Sequence, residues 1–157
     1  MRHTIQALVE NKFGVLARIS SLFSARGYNI NSLAVGETND STISCMTIVV
    51  NAKDERILEQ IKKQLNKLVD VITVSDLTKK DYIDRELLLL KVDSSDGGEK
   101  EIQLLVKRFG AKVLEEKAKY SIIEFSGDHS RIKELLEECR KKGIKELVRT
   151  GKIAIVK

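Results

Sequence analysis

The sequence predicts an α+β fold of two tandem ferredoxin-like units, each with the element order βαββαβ. Three observations predict it. Strand-like and helix-like segments occur in the same order twice, the apolar residues switch between a period of two and one of about 3.6 at each change of element, and a polar segment, "TKKDYID" at 78–84, separates the copies. Residues 1–77 are thus read as the first unit, 78–84 as a linker and 85–157 as the second unit.

In the first unit "HTIQALVE" alternates and reads as a strand. "GVLARISSLFSARG" follows as a helix, with Val15, Ile19, Leu22 and Phe23 on one stripe and Gly27 as its stop signal. "NINSLAVGET" and "STISCMTIVVN" read as strands joined at the turn residues Asn39, Asp40 and Ser41, hence a hairpin. "DERILEQIKKQLNKL" repeats Ile57, Ile61, Leu65 and Leu68 at helical spacing behind Asp54, an expected N-cap. "VDVITVSDL" closes the unit as a fourth strand.

The second unit repeats the order. "RELLLLKVD" is a strand, and Ile102, Leu105, Val106 and Phe109 mark a helix at i, i+3, i+4 and i+7. "AKVLEEKAKYSIIEFSG" reads as a hairpin with a weakly marked turn. "DHSRIKELLEECRKKG" presents Ile132, Leu135, Leu136 and Cys139 on one face, and "IKELVRTGKIAIVK" supplies the closing strand, with a hairpin expected at Thr150 and Gly151.

Composition narrows the function. With 157 residues, 42% of them hydrophobic, the chain can bury a core. Its longest apolar runs, such as "LLLL" at 87–90, fall far below the roughly 18 residues of a membrane span, and "MRHTIQALVENK" has neither signal-peptide nor transit character. A cytoplasmic, membrane-free protein is expected. The net charge of +5 comes from Lys and Arg interleaved with Glu and Asp, which reads as solvated helix faces. With only 4% aromatic residues there is little to stack on bases, so no nucleic-acid partner is expected.

Catalytic and cofactor chemistry lack their usual carriers. There is no G-x-G-x-x-G phosphate loop and no P-loop. Cys45 and Cys139 lie far apart and read as plain thiols of a reducing compartment. His3 is expected to be structural and His129 to sit exposed at a helix start. No catalytic residues, metal site or cofactor of its own are therefore assigned to the chain.

The stretch "VENKFGVLARISSLFSARGYNINSLAV" carries the most information. "ENKFGVL" places backbone N–H groups at a helix start, where a carboxylate is favoured and where Gly14 permits close backbone approach. A tight turn would use Gly14 equally well, and Asn11 could be a helix cap. Asn29 precedes a strand that the ferredoxin-like order puts at the sheet edge, open to the same strand of another subunit. Its amide suits the ammonium and carboxylate of a small zwitterion, but also an Asx turn. Residue chemistry alone leaves these alternatives open.

"LVENKFGVLARISSLFSARGYNINSLAV", "MTIVV", "KQLNKLVDVITVSDLT" and "DRELLLLKV" together resemble the regulatory, or small, subunit family of acetohydroxyacid synthase (acetolactate synthase). The resemblance is specific over residues 1–93 and less distinctive beyond. It implies that the first unit is an ACT domain, which binds an amino acid at a homodimer interface. The implied ligand is valine or another branched-chain amino acid. The effector site would fall on Asn11, Gly14, Val15 and Leu16 of one subunit with Asn29 and Ile30 of its mate. It further implies a non-catalytic subunit that activates a catalytic large subunit and confers feedback inhibition in isoleucine, leucine and valine synthesis. Thiamine diphosphate, magnesium and FAD would belong to that partner. The alternative is a free-standing amino-acid-sensing ACT protein acting on another enzyme or on transcription.

Overall fold

Alternation over the first segment yields β1 (Arg2–Glu10), in which Ile5, Ala7 and Val9 point inward and are buried. The computed structural model that shows this describes residues 2–52 and 55–157, so the expected cap Asp54 lies outside the described residues. After β1 come α1 (Val15–Ala25), β2 (Ile30–Glu37), β3 (Ile43–Asn51), α2 (Glu55–Leu65) and β4 (Val71–Asp76), the predicted βαββαβ order. The strands form one antiparallel sheet in the order β2-β3-β1-β4, so β2 lies at an edge as expected.

One face of this sheet packs both helices. Val15, Ile19, Leu22 and Phe23 of α1 and Leu58, Ile61 and Leu65 of α2 join Ile5, Ala7, Val9, Met46, Ile48 and Val50 in a single cluster. Each of the larger side chains among them, Ala7 aside, contributes about 1.5–3 kcal/mol by leaving water. The α2 stripe is centred one residue from the expected line: Leu58 is buried, whereas Ile57 and Leu68 are only partly so. Helix α1 ends as Gly27 predicts. Its backbone N–H donates to Ser24 O (3.0 Å) and that of Tyr28 to Phe23 O (3.0 Å), and Gly27 takes the left-handed φ of 68° that this closure requires.

The opposite face of the sheet also carries buried side chains. Leu77 is 0% and Thr47 3% exposed, and Thr4 and Val49 are buried as well, outside the helical cluster. The register places Thr4 opposite Val49 and Gln6 opposite Thr47. Hydrogen bonds tie the end of the chain to this sheet. Gln6 Nε2 donates to Ala154 O (2.8 Å) and the Lys152 N–H to Ser32 Oγ (3.0 Å). Residues Lys152–Lys157 therefore form one compact unit with the chain up to Ile83, while Asp84–Gly151 form the other.

The second unit contains most of β5 (Tyr82–Asp93), α3 (Glu99–Phe109), β6 (Lys112–Lys117), β7 (Tyr120–Gly127), α4 (His129–Lys142) and β8 (Ile144–Arg149). Its strands are ordered β6-β7-β5-β8, which repeats the first sheet. Leu88, Leu90 and Val92 of β5 meet Ile102 and Phe109 of α3 and Ile132, Leu135, Leu136 and Cys139 of α4. β5 begins at Tyr82, inside the segment read as linker. The hairpin expected at Thr150 and Gly151 does not form. β8 and the last strand, β9 (Ile153–Val156), both pair with β5; the Thr150 N–H donates to Leu87 O and the Lys157 N–H to Asp81 O. The turn residues interrupt a run along one neighbour without reversing it.

Helix α4 has a complete N-cap. Asp128 Oδ1 accepts from the Arg131 N–H (2.9 Å) and the Ser130 hydroxyl (2.6 Å), and these bonds, the first foremost, hold its carboxyl below the ordinary 3.8. A depressed carboxyl stabilises the fold above its unfolded pKa and loses that contribution as pH falls through the folded value. Asp128→Ala should therefore cost about 1 kcal/mol at pH 7. In urea denaturation the gap between variant and parent should shrink below about pH 4; a gap unchanged at pH 3 would contradict the cap's ionic character.

Candidate functional site

The β1–α1 connection is built from short-range constraints. Asn11 donates its backbone N–H to Thr42 O (2.7 Å) and its side-chain amide to Ser41 O (2.9 Å) and Glu37 Oε1 (3.0 Å). It is not a helix cap but a brace between this loop and the β2–β3 turn. The N-cap position belongs to Gly14, whose φ of 82° lies in the left-handed region that favours glycine. Its carbonyl accepts from the Arg18 N–H (3.0 Å), the first bond of the helix. Among the described residues no side chain caps this end, while the Val15 N–H reaches Lys12 O only at 3.4 Å. The first turn of α1 thus keeps amide donors and a positive dipole end at the protein surface.

Charges around the loop come in pairs. Arg18 binds Asp70 Oδ2 through Nε (2.8 Å) and Nη2 (2.7 Å), and Asp70 is 7% exposed. Lys12 pairs with Glu10 at 2.8 Å, which holds its ammonium above the ordinary range. A β-carbon on Gly14 would lie 3.1 Å from Arg18 Nη1. Arg18, Asp70 and Glu37 were not among the residues singled out from the sequence. Only Arg18 left a signal there, since it stands four residues after Gly14 and so lies over the first turn.

The remaining candidates divide by exposure. Val15 is buried in the core, so only its backbone faces the loop, while Leu16 is 47% exposed and Ile30 half-buried. Asn29 is exposed immediately before β2, and its amide has no side-chain hydrogen bond among the described residues, so no Asx turn forms there. The six positions do not converge within one chain. Gly14 and Asn29 flank opposite ends of the eleven-residue α1, about 16 Å long. Asn11 meets Glu37 at the far end of β2 from Ile30.

No cluster of three His, Cys, Asp or Glu side chains that could hold a metal occurs among the described residues. His3 is buried on the inner face of β1 with Nδ1 3.4 Å from Thr78 Oγ1, and His129 is exposed at the start of α4. Cys45 and Cys139 are free thiols, and burial raises both, Cys139 to about 11. No helix among the described residues is long and apolar enough to cross a membrane.

Comparison with known proteins covers both units. Residues 5–73 match the model of the AHAS small subunit-like ACT domain, and residues 85–157 match that of the small subunit of acetolactate synthase. A "Probable acetolactate synthase small subunit" of Archaeoglobus fulgidus is 45% identical over 157 residues, covering 100% of this chain and 98% of that one. The acetolactate synthase small subunit of Bacillus subtilis is 38% identical over 157 residues, with 100% and 91% covered. The crystal structure of the acetolactate synthase small subunit from Thermotoga maritima superimposes with a TM-score of 0.88 at 34% identity, covering 100% of this chain and 98% of that one. Two βαββαβ units, family models matching both of them and relatives matched over nearly their whole length place the chain in the family of acetolactate synthase small subunits.

Proposed function

We propose that the chain activates a catalytic acetolactate synthase subunit and makes it sensitive to valine or another branched-chain amino acid. The ligand would bind between two copies of this chain in the cytoplasm. Its carboxylate would meet the uncapped turn at Gly14, Val15 and Leu16, with Asn11 bracing the loop. Asn29 and Ile30 of the second copy would take its remaining polar groups and part of its side chain. Thiamine diphosphate, magnesium and FAD would be held by the catalytic subunit.

The observation that carries this reading is the separation of the two halves of the site along β2. A two-fold dimer that pairs β2 edges antiparallel lays the start of one β2 beside the end of the other. That brings Asn29 of one chain to the loop that Asn11 and Glu37 brace in its mate. β2 offers an edge for such pairing, because "INSLAVG" carries no charge or proline and leaves Val35 exposed; Glu37 ends the strand and its register against β3 shifts between Ile30 and Ser32. A ligand shared by two chains favours one dimer geometry over others. That difference in affinity can be passed to a partner.

The test combines calorimetry and activity. Titration with valine, leucine and isoleucine should give one binding event per chain with a branched-chain preference. The purified chain alone should not condense pyruvate, yet it should raise the turnover of the matching catalytic subunit. Turnover by the isolated chain, with the catalytic subunit excluded by mass spectrometry, would refute the regulatory reading. Binding without any effect on that subunit would favour the free-standing sensor.

A further inference from the structure

The covered outer face of the first sheet has no part in the site just described, yet it is tied to the strand that carries half of it. Ser32, which accepts from the Lys152 N–H, lies on β2 two residues beyond Ile30. Gln6, which donates to Ala154 O, lies on the central strand β1. Residues 152–157 follow the second unit in the chain but are integral to the first, so the chain passes between the two compact units twice, at 83/84 and at 151/152. Within the first unit, Lys157 is bonded to Asp81 through its N–H (3.1 Å) and its ammonium (2.9 Å). The start of β2 and residue 152 are thus joined by a hydrogen bond, and the second unit ends one residue earlier in the chain, at Gly151.

We propose that residues 152–157 are a clasp that carries the state of the effector strand β2 to the second unit, so that opening the clasp separates effector binding from the response of the catalytic subunit. This rests on the effector reading above. The clasp itself does not, because its docking can be observed without any ligand. Its seat buries small and aliphatic side chains and is held by side-chain hydrogen bonds at Gln6 and Ser32, beside the pairing of β9 with β5 and the Lys157–Asp81 contacts. Such an arrangement opens at lower cost than a core element.

The test uses the full chain with its catalytic subunit. Two variants open the clasp: the double substitution Gln6→Ala with Ser32→Ala, and deletion of residues 152–157. A reporter thiol is placed beneath it by Thr47→Cys with Cys45→Ser, because Thr47 is 3% exposed and lies between Gln6 and Ala34 in the sheet register. Cys139, being buried, should remain silent.

Opening the clasp should speed alkylation of the reporter by about tenfold or more. The heat of valine binding should persist and activation of the catalytic subunit should survive, whereas the valine concentration for half-inhibition should rise about tenfold or more. Unchanged alkylation in both variants would show that residues 152–157 do not seal this face, and would overturn the clasp. Faster alkylation with unaltered inhibition would overturn the coupling while leaving the docking in place. If the unmodified chain gives no heat with valine, the effector reading fails and the coupling fails with it; the alkylation rates still decide whether the clasp is docked.

Discussion

Gly14→Asp is expected to abolish the response to valine while sparing activation of the catalytic subunit. The substitution puts a carboxylate against the uncapped start of α1, where the carboxylate of the ligand would otherwise meet the first-turn amides. The new group occupies those donors and repels the ligand's charge. A loss of about a hundredfold or more in affinity, roughly 2.7 kcal/mol, would take binding below detection in calorimetry.

The structure also states what the change costs. Position 14 has a φ of 82°, which aspartate adopts more readily than most residues but at a strain of about 1 kcal/mol. Its β-carbon would lie 3.1 Å from Arg18 Nη1, the far end of a flexible and half-exposed side chain, so the neighbour can move. The less benign consequence is competition. An aspartate here can draw Arg18 away from Asp70, which is 7% exposed and would be left without its cation. Gly14→Ala separates these contributions, since it imposes at least as much backbone strain without the charge. Valine binding weakened modestly by alanine and abolished by aspartate, with the melting temperature lowered at least as much by alanine, supports the anion site. Equal loss of binding in both, with activation failing too, would reduce Gly14 to a turn residue.

Much of this architecture was legible because it depends on local period and punctuation. The stripe Val15, Ile19, Leu22 and Phe23 is buried as read, and Gly27 ends its helix by the expected bonds. Ile132, Leu135, Leu136 and Cys139 are likewise all buried in α4. Local pattern failed where the partner of a segment is set by tertiary structure. "KIAIV" reads correctly as a strand, but nothing in it says that its hydrogen bonds reach Gln6, 148 residues away, and Ser32, 120 residues away. Thr150 and Gly151 have the chemistry of a hairpin turn, yet both flanking strands find the same neighbour.

The candidate site shows the same boundary. Asn11 was singled out, but its bond to Glu37 spans 26 residues and turns an apparent helix cap into a brace between two loops. The pairing of Arg18 with Asp70 spans 52 residues, and no motif announces it. Sequence could nominate the residues of the loop because a glycine before an apolar helix is a backbone requirement. The place of Asn29 beyond the opposite end of α1 was legible as well, because Gly14 and Gly27 bracket the helix.

That separation sets the last expected result. Asn29→Ala should weaken valine binding by about 1–3 kcal/mol, or roughly fivefold to more than a hundredfold, by leaving a desolvated polar group of the ligand without its partner. The fold should be spared, because Asn29 is exposed and makes no side-chain hydrogen bond among the described residues. Sharing of the site is then tested by mixing Gly14→Asp chains with Asn29→Ala chains. If each site takes its loop from one chain and its asparagine from the other, a mixed dimer holds one doubly damaged site and one intact site. Valine binding of parental affinity should return to as much as one site per mixed dimer, although neither variant alone has it. Were loop and asparagine of the same chain to serve one site, both sites of every mixed dimer would stay damaged and nothing would return. Subunit exchange must be verified by native mass spectrometry. Absence of recovery from dimers known to be mixed would then exclude a site shared across β2, and the distance along α1 would leave Asn29 outside the effector site altogether.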